Sequence, residues 1–100
     1  MRRDALAIKK QDNVATAIRD IEQGQRAVVG IDEETLTVPV SQAIPFGHKL
    51  ALRGIQSGEE VLKYGTVIGR ATQTIQAGEH VHVHNVASTR GRGFRPCNVL

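Results

Sequence analysis

The sequence predicts an all-β domain of many short, twisted strands with one or two helical turns, and three observations predict it. Aromatic residues make up only 3% of the chain and Trp is absent, so core packing falls to Val, Ile, Leu and Ala. A short phrase, Ile-x-x-Gly-x-x-apolar, recurs along the chain. It opens as Ile21-Glu22-Gln23-Gly24, then returns as Ile44-Pro45-Phe46-Gly47 leading to Leu50, as Ile55-Gln56-Ser57-Gly58 leading to Val61, and as Ile75-Gln76-Ala77-Gly78 leading to Val81. Each phrase reads as a strand end, a turn with Gly where φ can be positive, and a new strand. The stretches between phrases are short and β-branched, as strands prefer. Gly-to-Gly spacings of 23, 11 and 20 exclude a solenoid of fixed period.

Taken in order, Asn13 to Ile21 is the one segment with helical spacing, because Val14, Ala17, Ile18 and Ile21 fall on one face. Arg26 to Ile31 is a strand, Asp32-Glu33-Glu34 a polar hairpin tip, and Thr35-Leu36-Thr37-Val38 the returning strand. Pro39 and Pro45 confine their neighbours to edges or turns. Val61 to Ala71 mixes strand formers with Gly65 and Gly69, which predicts bends or bulges. Val81 and Val83 alternate with His80, His82 and His84, a period-two pattern that puts the imidazoles on one side of a strand. This organisation divides the chain into a domain over 1–87 and a Gly/Arg-rich tail over 88–100 without periodicity.

The chain has 100 residues, enough for one domain that buries ~60–65% of its unfolded surface. The net charge of +3 is unevenly placed. Residues 1–87 hold ten basic and ten acidic side chains, while 88–100 add Arg90, Arg92 and Arg95 with no acid. The basic balance belongs to the tail, and a nucleic-acid-binding face on the domain is not expected. Arg90-Gly91-Arg92-Gly93-Phe94-Arg95 is like an RNA-contacting Arg-Gly segment in a single copy, and equally like a linker or a partner-ordered segment. No apolar run approaches the ~20 residues that span a bilayer, so no membrane association is expected. Met1 to Lys10 lacks an apolar stretch, so no secretory signal is expected. A single cysteine, Cys97, excludes an internal disulfide and makes the reducing cytoplasm the expected location.

Three groups of residues could carry chemistry. Side chains two apart on a strand sit ~6.6 Å from each other. Two imidazoles can converge from there on one metal at ~2.0–2.1 Å per bond, and neutral His is a common ligand. His80 is the weakest of the three, lying nearest the preceding turn. Asn85 follows and offers an amide oxygen or a turn cap. The alternative is a solvated strand face with Val81 and Val83 turned inward. Gly47-His48-Lys49 places an imidazole and an ammonium after a Pro-Phe-Gly turn, and Lys63-Tyr64-Gly65 places another ammonium beside the only tyrosine. Such pairs offer cations for a carboxylate and an acid or base; the alternative is surface Lys with Tyr packed on its apolar face. No nucleophile elbow, phosphate-binding Gly loop or zincin helix is present.

The stretch from Ile44 to Asn85, with Gly47-His48-Lys49, Lys63-Tyr64-Gly65 and His82-Val83-His84-Asn85, resembles the SAF-type N-terminal domain of the altronate and galactarate dehydratases. It is also similar to the small subunit of the related sulfolactate sulfo-lyase. Asp12-Asn13-Val14-Ala15 to Gly24 fits the opening phrase of that family, so the resemblance covers about three-quarters of the chain; Gly54 departs from it, standing where Asp is usual.

The resemblance implies a β-clip fold and a metal-dependent hydro-lyase, with divalent iron as the metal, acting on a sugar acid. It further implies a separate large catalytic subunit as partner, so that this chain alone is inactive; an oligomer is compatible with it. On this reading His48, Lys49 and Tyr64 are the catalytic candidates. Lys49, Lys63 and Asn85 are the substrate-binding candidates, and His82 and His84 the metal ligands. The rival reading is a non-catalytic β-clip module that binds a carbohydrate acid or a protein.

Overall fold

The recurring isoleucines face one another in pairs. In the computed structural model, which describes residues 3–88, Ile21 and Ile44 form one isolated antiparallel bridge and Ile55 and Ile75 another. Each bridge is reciprocated: Ile21 N–H donates to the Ile44 carbonyl at 2.9 Å and receives at 2.8 Å, and the Ile55–Ile75 bonds are both 2.8 Å. All four side chains are buried. After each isoleucine the chain turns tightly, with the fourth residue of the phrase at positive φ: +88° at Gly24, +85° at Gly47, +88° at Gly58 and +86° at Gly78. That is the third position of a type II turn, where a Cβ would be strained. The turns close through Gln25, His48, Glu59 and Glu79, whose N–H groups donate to the carbonyls of Glu22, Pro45, Gln56 and Gln76.

The described residues form nine strands: β1 (Ala5–Ala7), β2 (Val14–Ala17), β3 (Arg26–Ile31), β4 (Glu34–Pro39), β5 (Lys49–Ala51), β6 (Glu60–Lys63), β7 (Thr66–Ala71), β8 (His80–Val81) and β9 (Val86–Ser88). They form a six-stranded sheet in the order β4-β3-β1-β2-β5-β8 and a three-stranded sheet in the order β6-β7-β9. Pairing is antiparallel except between β1 and β3, which run parallel. No helix occurs among the described residues, so none there is long and apolar enough to cross a membrane. Of the tail expected over 88–100, Ser88 ends β9 and the rest lies outside the described residues.

The core is divided in two. One cluster gathers Ile21, Ile44, Val29, Val38 and Leu50 with several alanines; the other gathers Val14, Ile55, Ile75, Val61, Val81 and Val86. Strands β2 and β5 separate them: Ala15, Ala17 and Leu50 face the first cluster, Val14 and Ala51 the second. This corrects the helical expectation for 13–21, because Val14–Ala17 is β2. A strand between two cores is buried on both faces and reads as a near-continuous apolar run. Val14-Ala15-Thr16-Ala17 is such a run, and its chance 3.6-residue spacing was overridden by packing. Ile18, the fourth member of that supposed helical face, is exposed.

The expected irregularity between Val61 and Ala71 is a hairpin with a bulge at Val61/Leu62 and a two-residue turn, Tyr64-Gly65. Both turn residues have positive φ, 55° and 77°, the mirror-image turn that matches strand twist. Gly69 answers a different need, since a Cβ there would strike the Ala87 carbonyl of β9. The hairpin tip after β3 is Asp32-Glu33, and Glu34 already begins β4.

Candidate functional site

Strand β5 pairs with β8 so that Leu50 lies opposite His80 and Lys49 opposite Val81. Side chains two apart share a face, and so do cross-strand partners. His48, Leu50 and His80 therefore share one face, and Lys49, with Val81 and Thr16 as its cross-strand partners, takes the other. His48 Nδ1 reaches His80 Nε2 at 2.8 Å, and their rings stack with centroids 5.0 Å apart and planes 19° from parallel.

His82 joins them by leaving the strand. The period-two reading is corrected here, since β8 ends at Val81 and Asn85 N–H donates to the His82 carbonyl at 3.1 Å, closing a turn. Asn85 is buried and holds that turn with its side chain: Oδ1 accepts the His82 N–H at 3.0 Å and Nδ2 donates to the His80 carbonyl at 2.9 Å. Bent back in this way, the His82 ring stacks on His48 at 4.1 Å and lies 5.7 Å from His80. Val83 is thrown outward, 53% exposed, while Val81 stays in the core. His84 is exposed at the rim, its ring tilted 38° against His80 at 5.2 Å.

A comparison of the four turns shows why His48 is available. Gln25 Oε1, Glu59 Oε1 and Glu79 Oε1 accept from the backbone N–H groups of Glu22, Gln56 and Gln76, folding each side chain onto its own turn. The corresponding position before His48 is Pro45, which has no N–H. The imidazole is released from its turn and joins the cluster. The isoleucine phrase carried this signal: Pro45 is its odd member.

Burial and neighbouring charge favour the neutral form of His80 and His82. Burial first, then the charges of His48, His84, His82 and Lys49, push the His80 pKa from 6.5 to about 4. His82 is lowered as well, by burial first and then by His48, Lys49 and His84. Neutral imidazoles are the form that binds metal. His48, His80 and His82 each offer a ring nitrogen, and these atoms lie within 4.8 Å of one another. His82 Nδ1 is buried and without a hydrogen-bond partner. These residues fit a divalent metal of the iron class by donor type, because imidazole suits such ions.

The other expected residues stand elsewhere. Lys49 is 1% exposed, its ammonium buried on the face opposite His48, yet its charge reaches His80 and His82. Lys63 and Tyr64 pair with each other, Nζ lying 5.2 Å from the ring centroid, at the β6–β7 tip. That tip is fastened to Asp12, whose buried carboxylate accepts N–H bonds from Tyr64 at 3.0 Å, Gly65 at 2.7 Å, and Ile8 and Lys9 at 3.1 Å each. Asn13, bonded to Leu62, and Thr16, opposite Lys49, are three residues apart on or beside β2, ~10 Å along the chain. The structure thus gathers His48, His80 and His82 at β5 and β8 of the six-stranded sheet, while the Lys63–Tyr64 pair belongs to the β6–β7 hairpin of the other sheet. In the sequence Asp12 and Asn13 stand out only as part of the opening phrase, because the hydrogen bonds that tie them to the β6–β7 hairpin reach partners about fifty residues away.

Comparison with known proteins bears on what such an arrangement is. The model of the altronate/galactarate dehydratase SAF domain matches residues 3–89. The altronate dehydratase of Bacillus subtilis is 44% identical over 80 residues, 80% of this chain and 15% of the relative. The (2R)-sulfolactate sulfo-lyase subunit alpha of Chromohalobacter salexigens is 45% identical over 75 residues, 73% of this chain and 80% of the relative. The galactarate dehydratase (L-threo-forming) of Escherichia coli is 32% identical over 78 residues, 76% of this chain and 14% of the relative. The chain therefore spans about a seventh of the dehydratases it matches and most of the sulfo-lyase subunit. Its all-β architecture, its four isoleucine turns and this match agree: the chain belongs to the altronate/galactarate dehydratase SAF-domain family.

Proposed function

We propose that the chain is the small component of a metal-dependent hydro-lyase that dehydrates a sugar acid of the altronate or galactarate type to a 2-keto-3-deoxy acid. It works with a separate large catalytic subunit, in the cytoplasm, and is inactive alone. The observation that supports this best is the convergence of His48, His80 and His82 without a carboxylate among them. Dehydration breaks the C–H bond α to the carboxylate and the C–O bond at the β-carbon, and water leaves. The resulting enol becomes the 2-keto acid. This needs a base, charge stabilisation at the carboxylate and an acid at the leaving oxygen. Divalent iron held by His48, His80 and His82 would supply Lewis acidity for the loss of water.

The chain's own contribution is partial. Lys49 provides buried positive charge behind the imidazoles. His48, hydrogen-bonded to His80, can pass a proton, and His84 stands at the open rim. Lys63 and Tyr64, locked at their tip by Asp12, face whatever docks there, so their carboxylate-binding and acid roles require the large subunit to close the distance. Asn85 acts on substrate through the turn it holds. The test is anaerobic affinity purification from the native cell, followed by assay of the co-eluting complex on a panel of aldonic and aldaric acids. Dehydration of one of them is expected; a complex inert to all of them overturns the reading.

One observation favours the rival, protein-binding role. A groove of about 270 Å³ lined by Ile21, Ala43, Ile44 and Pro45 opens beside Phe46, which is 66% exposed. The same apolar surface also suits docking of the large subunit.

A further inference from the structure

We propose that His48, His80 and His82 form a divalent-metal site that this chain completes without its partner, with one coordination position left open on the side of His84. The inference deepens the lyase reading and rests on it for its purpose, but the site itself is argued from geometry. The three ring nitrogens lie within 4.8 Å of one another, and one pair is already at 2.8 Å. Around a tetrahedral ion at ~2.0–2.1 Å per bond, nitrogens stand ~3.4 Å apart. The three rings lie within 19° of parallel, so binding requires them to rotate about their side-chain torsions until their lone pairs meet at one ion, and the His48–His80 hydrogen bond is exchanged for metal bonds.

Two local features bring the three rings together. Pro45 withholds the N–H that would hold the His48 side chain on its own turn. Asn85 bends the chain so that His82 stacks on His48 instead of pointing away along β8. The Nδ1 of His82 is buried without a hydrogen-bond partner, a cost a folded protein tolerates where a ligand satisfies the atom. All three donors are nitrogen, which favours late first-row divalent ions of the Fe2+, Co2+ and Zn2+ class over Mg2+ or Ca2+. Three protein ligands with an open place is the arrangement of catalytic metal sites, where substrate oxygen or water takes the remaining position.

The test is titration of the full 100-residue chain with Co2+ at pH 7.5, read by visible absorption and calorimetry. The expected result is saturation at one ion per chain, with an intense absorption of nitrogen-ligated, low-coordinate Co2+. H48A, H80A and H82A each weaken binding more than about tenfold, and H84A less than about threefold. H48Q and H82Q, nearer in size, guard against loss of fold, which thermal melting checks. Absence of saturable binding, or single His variants that bind as tightly as the parent, overturns the site. A chain that binds one ion but supports no dehydration with its large subunit ends the lyase reading and leaves the site standing. Dehydration by a complex whose small chain binds no ion does the reverse.

Discussion

His48 Nδ1 and His80 Nε2, 32 residues apart, share a 2.8 Å hydrogen bond across the junction of β5 and β8. Two neutral rings can make it, one donating and one accepting; two imidazolium rings can only donate. Burial first, and then the neighbouring charges of His48, His84, His82 and Lys49, lower the His80 pKa from 6.5 to about 4.

Acid should therefore unfold the metal-free chain by a specific route. Between pH 6.5 and about 4 the unfolded chain binds a proton at His80 that the folded chain refuses. Stability is complete above the unfolded value and declines as pH falls through this window. Melting temperatures from pH 7.5 to 4.5 should fall, and the slope should flatten in H80Q. An equal slope in H80Q contradicts the assignment.

Asn85→Ala removes both amide bonds that hold the His80–His82 turn and leaves their backbone groups unpaired. A loss of about 2 kcal/mol is expected by urea denaturation. Co2+ affinity should drop about tenfold, because His82 loses its position.

Asp12→Ala frees four backbone N–H groups from one buried carboxylate. The cost should be about 3 kcal/mol or more, since bonds to a charged acceptor are the stronger kind. Hydrogen exchange should locate it: the Tyr64 and Gly65 amides lose protection while the Ile21–Ile44 bridge keeps its own. Tyr64, held at a positive φ of 55°, should relax with its anchor gone.

Pro45→Ala restores a backbone N–H where the other three turns use one to capture the following side chain. Stability should change by no more than about 1 kcal/mol. Co2+ binding should weaken about fivefold, the equivalent of ~1 kcal/mol spent on recapturing His48. Unchanged Co2+ affinity would show that Pro45 does not govern this ring.

Much of this was legible in the residues. The isoleucine phrases announced their turns, and their glycines sit at the positive φ that the spacing required. The family resemblance was carried by Gly47-His48-Lys49, Lys63-Tyr64-Gly65 and His82-Val83-His84-Asn85. The pairing of the phrases, Ile21 with Ile44 and Ile55 with Ile75, was not legible, because no local pattern states a long-range partner. For the same reason the 13–21 segment displays helical spacing although it contains strand β2: the two cores that bury both faces of that strand leave no local mark. In the site, alternation suggested that His80, His82 and His84 line one strand, whereas Asn85 ends the strand and substitutes His48 for His84 in the cluster. His80, which its nearness to a turn made the weakest candidate, lies in contact with all three other imidazoles.

The central claim is that this chain supplies an imidazole site to a lyase whose remaining parts lie in a larger subunit. The most direct measurement is formation of a 2-keto-3-deoxy acid from altronate and galactarate, with ferrous iron and reductant under anaerobic conditions. It is made on the chain alone, on the large subunit alone, and on the two together. Turnover is expected only from the mixture, and replacing His48 or His82 with Ala should cut it by at least about a hundredfold, ~2.7 kcal/mol of transition-state stabilisation. Robust turnover by the chain alone, or a mixture indifferent to those two histidines, would contradict the account.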